Sequence, residues 1–196
     1  IYEHKDRTTL LRKEKAIFPN AFVVHAIGDM SNELCKQNVE YINKQKKDFT
    51  YNYWIRDSDS YEKFALPDDL DDTALCISAL RKCGQEVDDR VFLKIIGLEE
   101  KVGGPYKTWF VDEESDEDNK WQDVDPVVNS QLLYAASLCN ISLPKLRKWL
   151  LGSIKKDDIN SPYYPDDWMF LMNLSKYVNH TGDKVIKKVV LRLLKS

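Results

Sequence analysis

Residues 66–80, LPDDLDDTALCISAL, place four carboxylates within five positions and follow them with an almost uninterrupted apolar run. Pro67 favours a helix start, Asp68 or Asp69 can cap the unpaired amides of the first turn, and the remaining acids suit the positive end of the helix dipole. The acids therefore mark a helix N-terminus. Beyond Asp72 only Arg81 and Lys82 carry charge, so Leu70, Ala74, Leu75, Ile77, Ala79 and Leu80 cover most of the circumference. A helix apolar on nearly all sides belongs inside the fold.

Working outward, the same pairing recurs. Pro19 opens the short apolar AFVVHAI, and residues 31–47 return as a polar helix with Leu34, Val39 and Ile42 on one stripe. YNYWIRDSDSYEKF (51–64) lacks helical periodicity and reads as an aromatic loop leading into the acidic junction. After a turn at 82–85, Val91, Phe92, Ile95, Ile96 and Leu98 recur at helical spacing. A long loop, GGPYKTWFVDEESDEDNKW (103–121), has a central acidic run that reads as solvated. DVDPVVNSQLLYAASLCN (123–140) and PYYPDDWMFLMNLSKYV (162–178) are apolar helices, and PKLRKWLLGSIKK (144–156) and DKVIKKVVLRLLKS (183–196) are their amphipathic mates. Three inner helices start alike, at Pro67-Asp68-Asp69, Asp123-Val124-Asp125-Pro126 and Pro165-Asp166-Asp167, at separations of about forty to sixty residues that suit helical-hairpin repeats. The expected fold is all-α, an array of αα hairpins with inner and outer helix layers. Residues 1–17 read as a charged arm or surface helix, and residues 18–196 as one domain of about four hairpins. The long aromatic loops share the end where the inner helices begin, the end at which function is expected.

Of the 196 residues, 43% are hydrophobic and 31% charged, with a net charge of -3, which gives no electrostatic reason to expect nucleic acid. Cys35, Cys76, Cys83 and Cys139 have no paired spacing and read as reduced thiols of a cytoplasmic protein. No apolar run approaches the roughly twenty residues of a bilayer span, and no basic-then-apolar leader opens the sequence at Ile1.

Asp69-Leu70-Asp71-Asp72-Thr73-Ala74 resembles the Asp-x-Asp-Asp-Thr-Ala signature of class II terpene cyclases. Gly103-Gly104-Pro105-Tyr106-Lys107-Thr108-Trp109 resembles the glycine and tryptophan segments between their helices. With Tyr53-Trp54, Asp125 to Ser130 and Ser161 to Tyr164, the chain is similar to short bacterial prenyltransferase and squalene oxidase repeat proteins. These share the αα-toroid superfamily of squalene-hopene cyclases and protein prenyltransferases. The resemblance implies a partial or small (α/α) toroid, with Asp71 as the acid that protonates an isoprenoid and Asp69 and Asp72 beside it. A full toroid of that kind has more hairpins than the four read here, so the arm or a second copy of the chain would have to complete the ring.

A class II acid must stay neutral beside an apolar cavity. Neighbouring carboxylates and burial raise its pKa, whereas the helix dipole lowers it. Carbocation chemistry also favours aromatic walls, and Trp54, Tyr106, Trp109, Trp121, Tyr163, Tyr164 and Trp168 lie near the acidic end, with Asn129 on an adjoining apolar helix. Asp68, Asp69 and Asp72 also fit an Asp-Asp-x-x-Asp pattern that would hold Mg²⁺ and a diphosphate, although the second metal motif of class I enzymes is missing. No His and Cys pair has metal-ligand spacing. Against these stands capping, a common role for Asp at helix starts, and packing for the aromatics. The expected function is Asp71-initiated isoprenoid cyclisation. The alternative is a non-catalytic lipid-binding or protein-interaction scaffold on the same repeats.

Overall fold

The computed structural model describes residues 16–195. In chain order the helices are α1 (Phe18–Ile27), α2 (Glu33–Gln45), α3 (Asp59–Phe64), α4 (Leu70–Lys82), α5 (Arg90–Ile96), α6 (Pro126–Leu138), α7 (Pro144–Lys156), α8 (Trp168–Thr181) and α9 (Lys184–Leu193), with one 3-10 turn at Glu113–Ser115. Among the described residues there is no strand, only isolated bridges such as Tyr51 with Asp69 and Asp69 with Trp109.

The apolar runs become the buried helices. Every residue of α4 from Asp72 to Leu80 is buried, as is every residue of α6 from Pro126 to Ala136. The amphipathic helices bury one stripe each: Cys35, Val39 and Ile42 on α2, Leu146, Leu150 and Ile154 on α7, and Ile186 and Val190 on α9. That spacing is one helical face. Helix α1 packs on α4, α4 on α6 and α6 on α8, while α2 backs α1, α7 backs α6 and α9 backs α8. Each fully buried leucine of this double layer, such as Leu132, Leu150 or Leu174, contributes about 2 kcal/mol of apolar burial. Buried polar bonds tie the inner row together, with Gln131 donating to Ser78 at 3.0 Å and Asn173 to Ser130 at 3.2 Å.

The four inner helices run the same way. At their C-terminal ends Arg81 donates to the Leu138 carbonyl at 3.2 Å, and His180 Nε2 lies 3.1 Å from the Ser137 carbonyl. At the opposite end the Leu70 amide donates to the Thr108 carbonyl at 2.7 Å, and Thr108 in turn donates to the Asp123 carbonyl at 2.9 Å. All the acidic starts thus meet at one rim.

Local details depart from expectation. Residues 59–64 form a helix within the supposed loop because Ser58 accepts the Tyr61 amide and caps a single short turn that has no periodicity to show. Pro67 lies outside α4, whose cap is Asp69. In the acidic run Glu113 and Glu114 are exposed, but Asp116 is buried and accepts the Lys120 and Trp121 amides, both at 2.9 Å. Of the expected arm, residues 1–15 lie outside the described residues. Ile17 is already fully buried, and its amide donates to the Tyr53 carbonyl at 3.0 Å.

Candidate functional site

The start of α4 is fastened by two loops. The Asp69 amide donates to the Tyr51 carbonyl at 3.1 Å, the Phe110 amide to the Asp68 carbonyl at 2.9 Å, and the Tyr51 amide to Thr73 Oγ1 at 3.1 Å. Helical geometry then sends the four carboxylates in different directions. Asp68 is held by the Arg56 guanidinium, whose Nη2 donates to both oxygens at 2.7 and 2.9 Å, and by the Thr50 hydroxyl at 2.6 Å. A shared metal site would need that carboxylate beside those of Asp69 and Asp72. Among the described residues no group of three or more His, Cys, Asp or Glu side chains is placed to hold a metal ion.

Asp69 and Asp72 are sealed, at 4% and 3% exposure. Asp69 Oδ1 accepts the Asp72 amide at 2.7 Å, whereas Asp69 Oδ2 and Asp72 Oδ1 have no partner among the described residues. Burial, followed by the charge of Asp71, pushes Asp69 up to about 8. Burial and then the charge of Asp69 hold Asp72 well above the usual carboxylate range. Asp69 therefore keeps its proton at neutral pH, and Asp72 is shifted in the same direction, since buried carboxyls without cations favour the uncharged form.

Asp71 differs from its neighbours. It is half-buried, it caps nothing, and its Oδ2 accepts the Tyr164 hydroxyl while its Oδ1 makes no hydrogen bond among the described residues. Burial raises it to about 7 against the opposing pull of the Tyr164 bond, with a further push from Asp125. Tyr164 is delivered by the turn at 161–164. There Ser161 Oγ accepts the Tyr163 and Tyr164 amides at 3.1 and 3.2 Å and donates to Asp125 Oδ2. Asp125 caps α6, accepting the Val127 amide at 2.6 Å. One serine thus links the cap of α6 to the ring beside Asp71. Phe18 extends the aromatic wall, with its ring 6.4 Å from Tyr164 and 4.9 Å from Phe22.

The other aromatics divide into groups. Trp109, Trp121 and Tyr163 cluster, with ring centroids 4.8 and 5.9 Å from Trp109, and the Trp109 indole donates to Asp123 at 2.9 Å and to the Tyr163 hydroxyl at 3.0 Å. Through the turn at 161–164 this cluster adjoins Tyr164. Four further residues make their contacts elsewhere. Trp54 is buried against Phe64 and Tyr53, and Trp168 is 63% exposed. Tyr106 sits in the core with its hydroxyl on Glu99, and Asn129 spends its amide on the Tyr106 backbone at 2.9 and 2.8 Å and on the Asp125 carbonyl at 2.9 Å. A separate cavity of about 390 Å³, lined by Glu100, Pro105, Gln122, Val124 and Trp149 among others, includes none of Asp68, Asp69, Asp71 and Asp72.

Sequence reasoning missed Ser161, Asp125 and Phe18 as parts of the site. Their signals were present as a Ser-Pro-Tyr-Tyr block, an acidic helix start and the aromatic first residue of an apolar helix. Their partners lie too far along the chain to be named from it. No protein-family model matches this chain, and neither a curated protein nor a solved structure matches it.

Proposed function

We propose that this protein is a small αα-hairpin member of the terpene-cyclase type in which Asp71 protonates a carbon–carbon double bond of an isoprenoid. The single observation that carries this reading is the environment of Asp71. Like Asp72 it neither caps a helix nor pairs with a cation, but Asp72 is sealed whereas Asp71 is half-buried with one oxygen on the Tyr164 hydroxyl, and burial raises its carboxyl to about 7. A scaffold that used these acids only as caps would leave it bonded to backbone amides. Asp69 and Asp125 do that work instead.

In the proposed step the Oδ1–H bond of neutral Asp71 breaks and its proton bonds to one alkene carbon, leaving a carbocation on the other. The O–H electron pair remains on the carboxylate, where the Tyr164 hydroxyl stabilises it. Tyr164 and Phe18 offer ring faces to the cation. Neighbouring Asp69, itself protonated at neutral pH, keeps negative charge from accumulating beside the acid. Two contacts between α1 and the segment that carries α8 favour a small ring over an open row: Phe18 against Tyr164, and Lys176 Nζ 5.4 Å from the Phe22 ring. The unbridged thiols suit a reducing, cytoplasmic setting.

The test is incubation of the full chain with squalene and with prenyl diphosphates of increasing length, with products resolved by gas chromatography and mass spectrometry. Cyclic product from at least one substrate is expected, reduced about a hundredfold or more in Asp71→Asn. Equal turnover by Asp71→Asn would remove Asp71 from the reaction. Retention of these lipids in native mass spectrometry with no conversion would favour the binding scaffold.

A further inference from the structure

Charge is divided unevenly along the chain. Residues 48–140 carry nine Lys and Arg against twenty-one Asp and Glu, and residues 141–196 carry eleven against five, so the net charge of -3 conceals two oppositely charged parts. The positive part is concentrated on two outer helices. Helices α7 and α9 hold nine Lys and Arg and no Asp or Glu. With Leu146, Leu150 and Ile154 turned inward on α7, Lys148, Lys155 and Lys156 are left exposed. With Ile186 and Val190 turned inward on α9, Lys187, Lys188 and Arg192 are exposed in the same way. The two helices are neighbours, since α7 backs α6, α9 backs α8, and Arg147 of α7 donates at 2.8 Å to Asp183, the cap of α9. Of the cations on these helices only Arg147 forms an ion pair among the described residues.

A complementary surface lies on the same chain. Residues 112–118, DEESDED, place six carboxylates in seven positions, and all but Asp116 are exposed. Buried Asp116 shapes the segment from within, accepting the Lys120 and Trp121 amides at 2.9 Å and the Gln122 side-chain amide at 2.8 Å. The Ser115 amide and hydroxyl close the turn on the Asp112 carbonyl at 3.0 and 2.8 Å. Five carboxylates are therefore presented outward on a shaped turn. Glu113 pairs with Lys107, and among the described residues no ion pair joins this turn to α7 or α9. The basic face and the acidic turn thus answer each other in charge and do not meet within one copy.

We propose that the outer face of α7 and α9 is a docking surface for the acidic turn 112–118 of a second copy of this chain. Single exposed ion pairs contribute little, but several acting together steer association and fix its register. Two copies that exchange turns about a twofold axis satisfy both faces at once. The turn is rooted in the aromatic cluster of the acidic rim, where the Trp109 and Trp121 rings that flank it lie 4.8 Å apart. The second copy is therefore seated beside the rim that carries the candidate site. The contact does not depend on Asp71 being an acid.

The experiment measures the mass of the full chain by sedimentation equilibrium over a range of protein concentrations, at low and at high salt. Self-association is expected at low salt and is expected to weaken as salt is added. Two charge-reversed proteins then probe the two sides of the contact. One carries Lys187→Glu and Lys188→Glu on the face, and the other Glu114→Lys and Glu117→Lys on the turn. All four positions are exposed, so the fold is retained in both. Each protein alone is expected to associate about a hundredfold more weakly than the parent, roughly tenfold for each reversed charge. An equimolar mixture is expected to associate as the parent does, because each reversed surface then meets its complement. Lys94→Glu, an exposed reversal on α5, is expected to change nothing. A parent chain that stays monomeric at low salt overturns the proposal, and its sedimentation with vesicles of anionic lipid would assign the basic face to a membrane instead. Association untouched by either reversal, or a mixture that fails to recover it, also overturns the proposal.

Discussion

Replacing Asp69 by Asn separates its two roles, capping and carrying a buried ionisable group. Asn is as good a cap as Asp, so the bond from the Asp72 amide is kept. In the folded protein Asp69 is raised from 3.8 to about 8, so its proton is bound more tightly folded than unfolded. Below about pH 4 both states hold the proton and the group costs nothing. As pH climbs toward 8 the unfolded chain ionises while the folded one does not, and stability falls. A shift of about four units sets an upper limit on the order of 5 kcal/mol. Water entry and relaxation reduce the expected loss to about 2 kcal/mol. Urea unfolding of parent and Asp69→Asn at pH 4.5, 6 and 8 checks this. The variant is expected to match the parent at the lowest pH and to exceed it by about 2 kcal/mol at pH 8. A variant that is weaker by the same amount at every pH would show that Asp69 is charged and needed as such, and would refute the argument for a protonated cluster.

Arg56→Met leaves the Asp68 carboxylate, whose side chain is 18% exposed, without its cation, and is expected to cost about 3 kcal/mol in urea unfolding at pH 7. Asn129→Ala removes one bond accepted from and two donated to fully buried backbone, and about 3 kcal/mol is expected by the same measurement. Tyr164→Phe deletes the donor that lowers Asp71, so the Asp71 midpoint is expected to rise above about 7 in carboxyl-carbon NMR.

The layering was legible because burial leaves periodic traces. The uncharged run from Thr73 to Leu80 and the Leu146, Leu150 and Ile154 stripe belong respectively to a helix buried nearly all round and to one buried on one face. The division of labour among Asp68, Asp69, Asp71 and Asp72 was not legible. Any of them can cap a helix, and the phase of α4 is fixed by bonds to Tyr51 and Thr108, residues on two separate loops. The partner of Asp71 is 93 residues away, beyond any local pattern. Aromatic composition at the acidic rim was visible, but the orientation of each ring was not. Tyr106 turns into the core because Asn129 grips its backbone, and Trp168 faces solvent on the first residue of α8.

The most direct test is the titration of the Asp71 carboxyl carbon by NMR, assigned by its loss in Asp71→Asn. A midpoint near 7 is predicted, leaving about half the molecules with a proton to give at neutral pH. A midpoint near 4, the value of an ordinary exposed aspartate, would contradict the account.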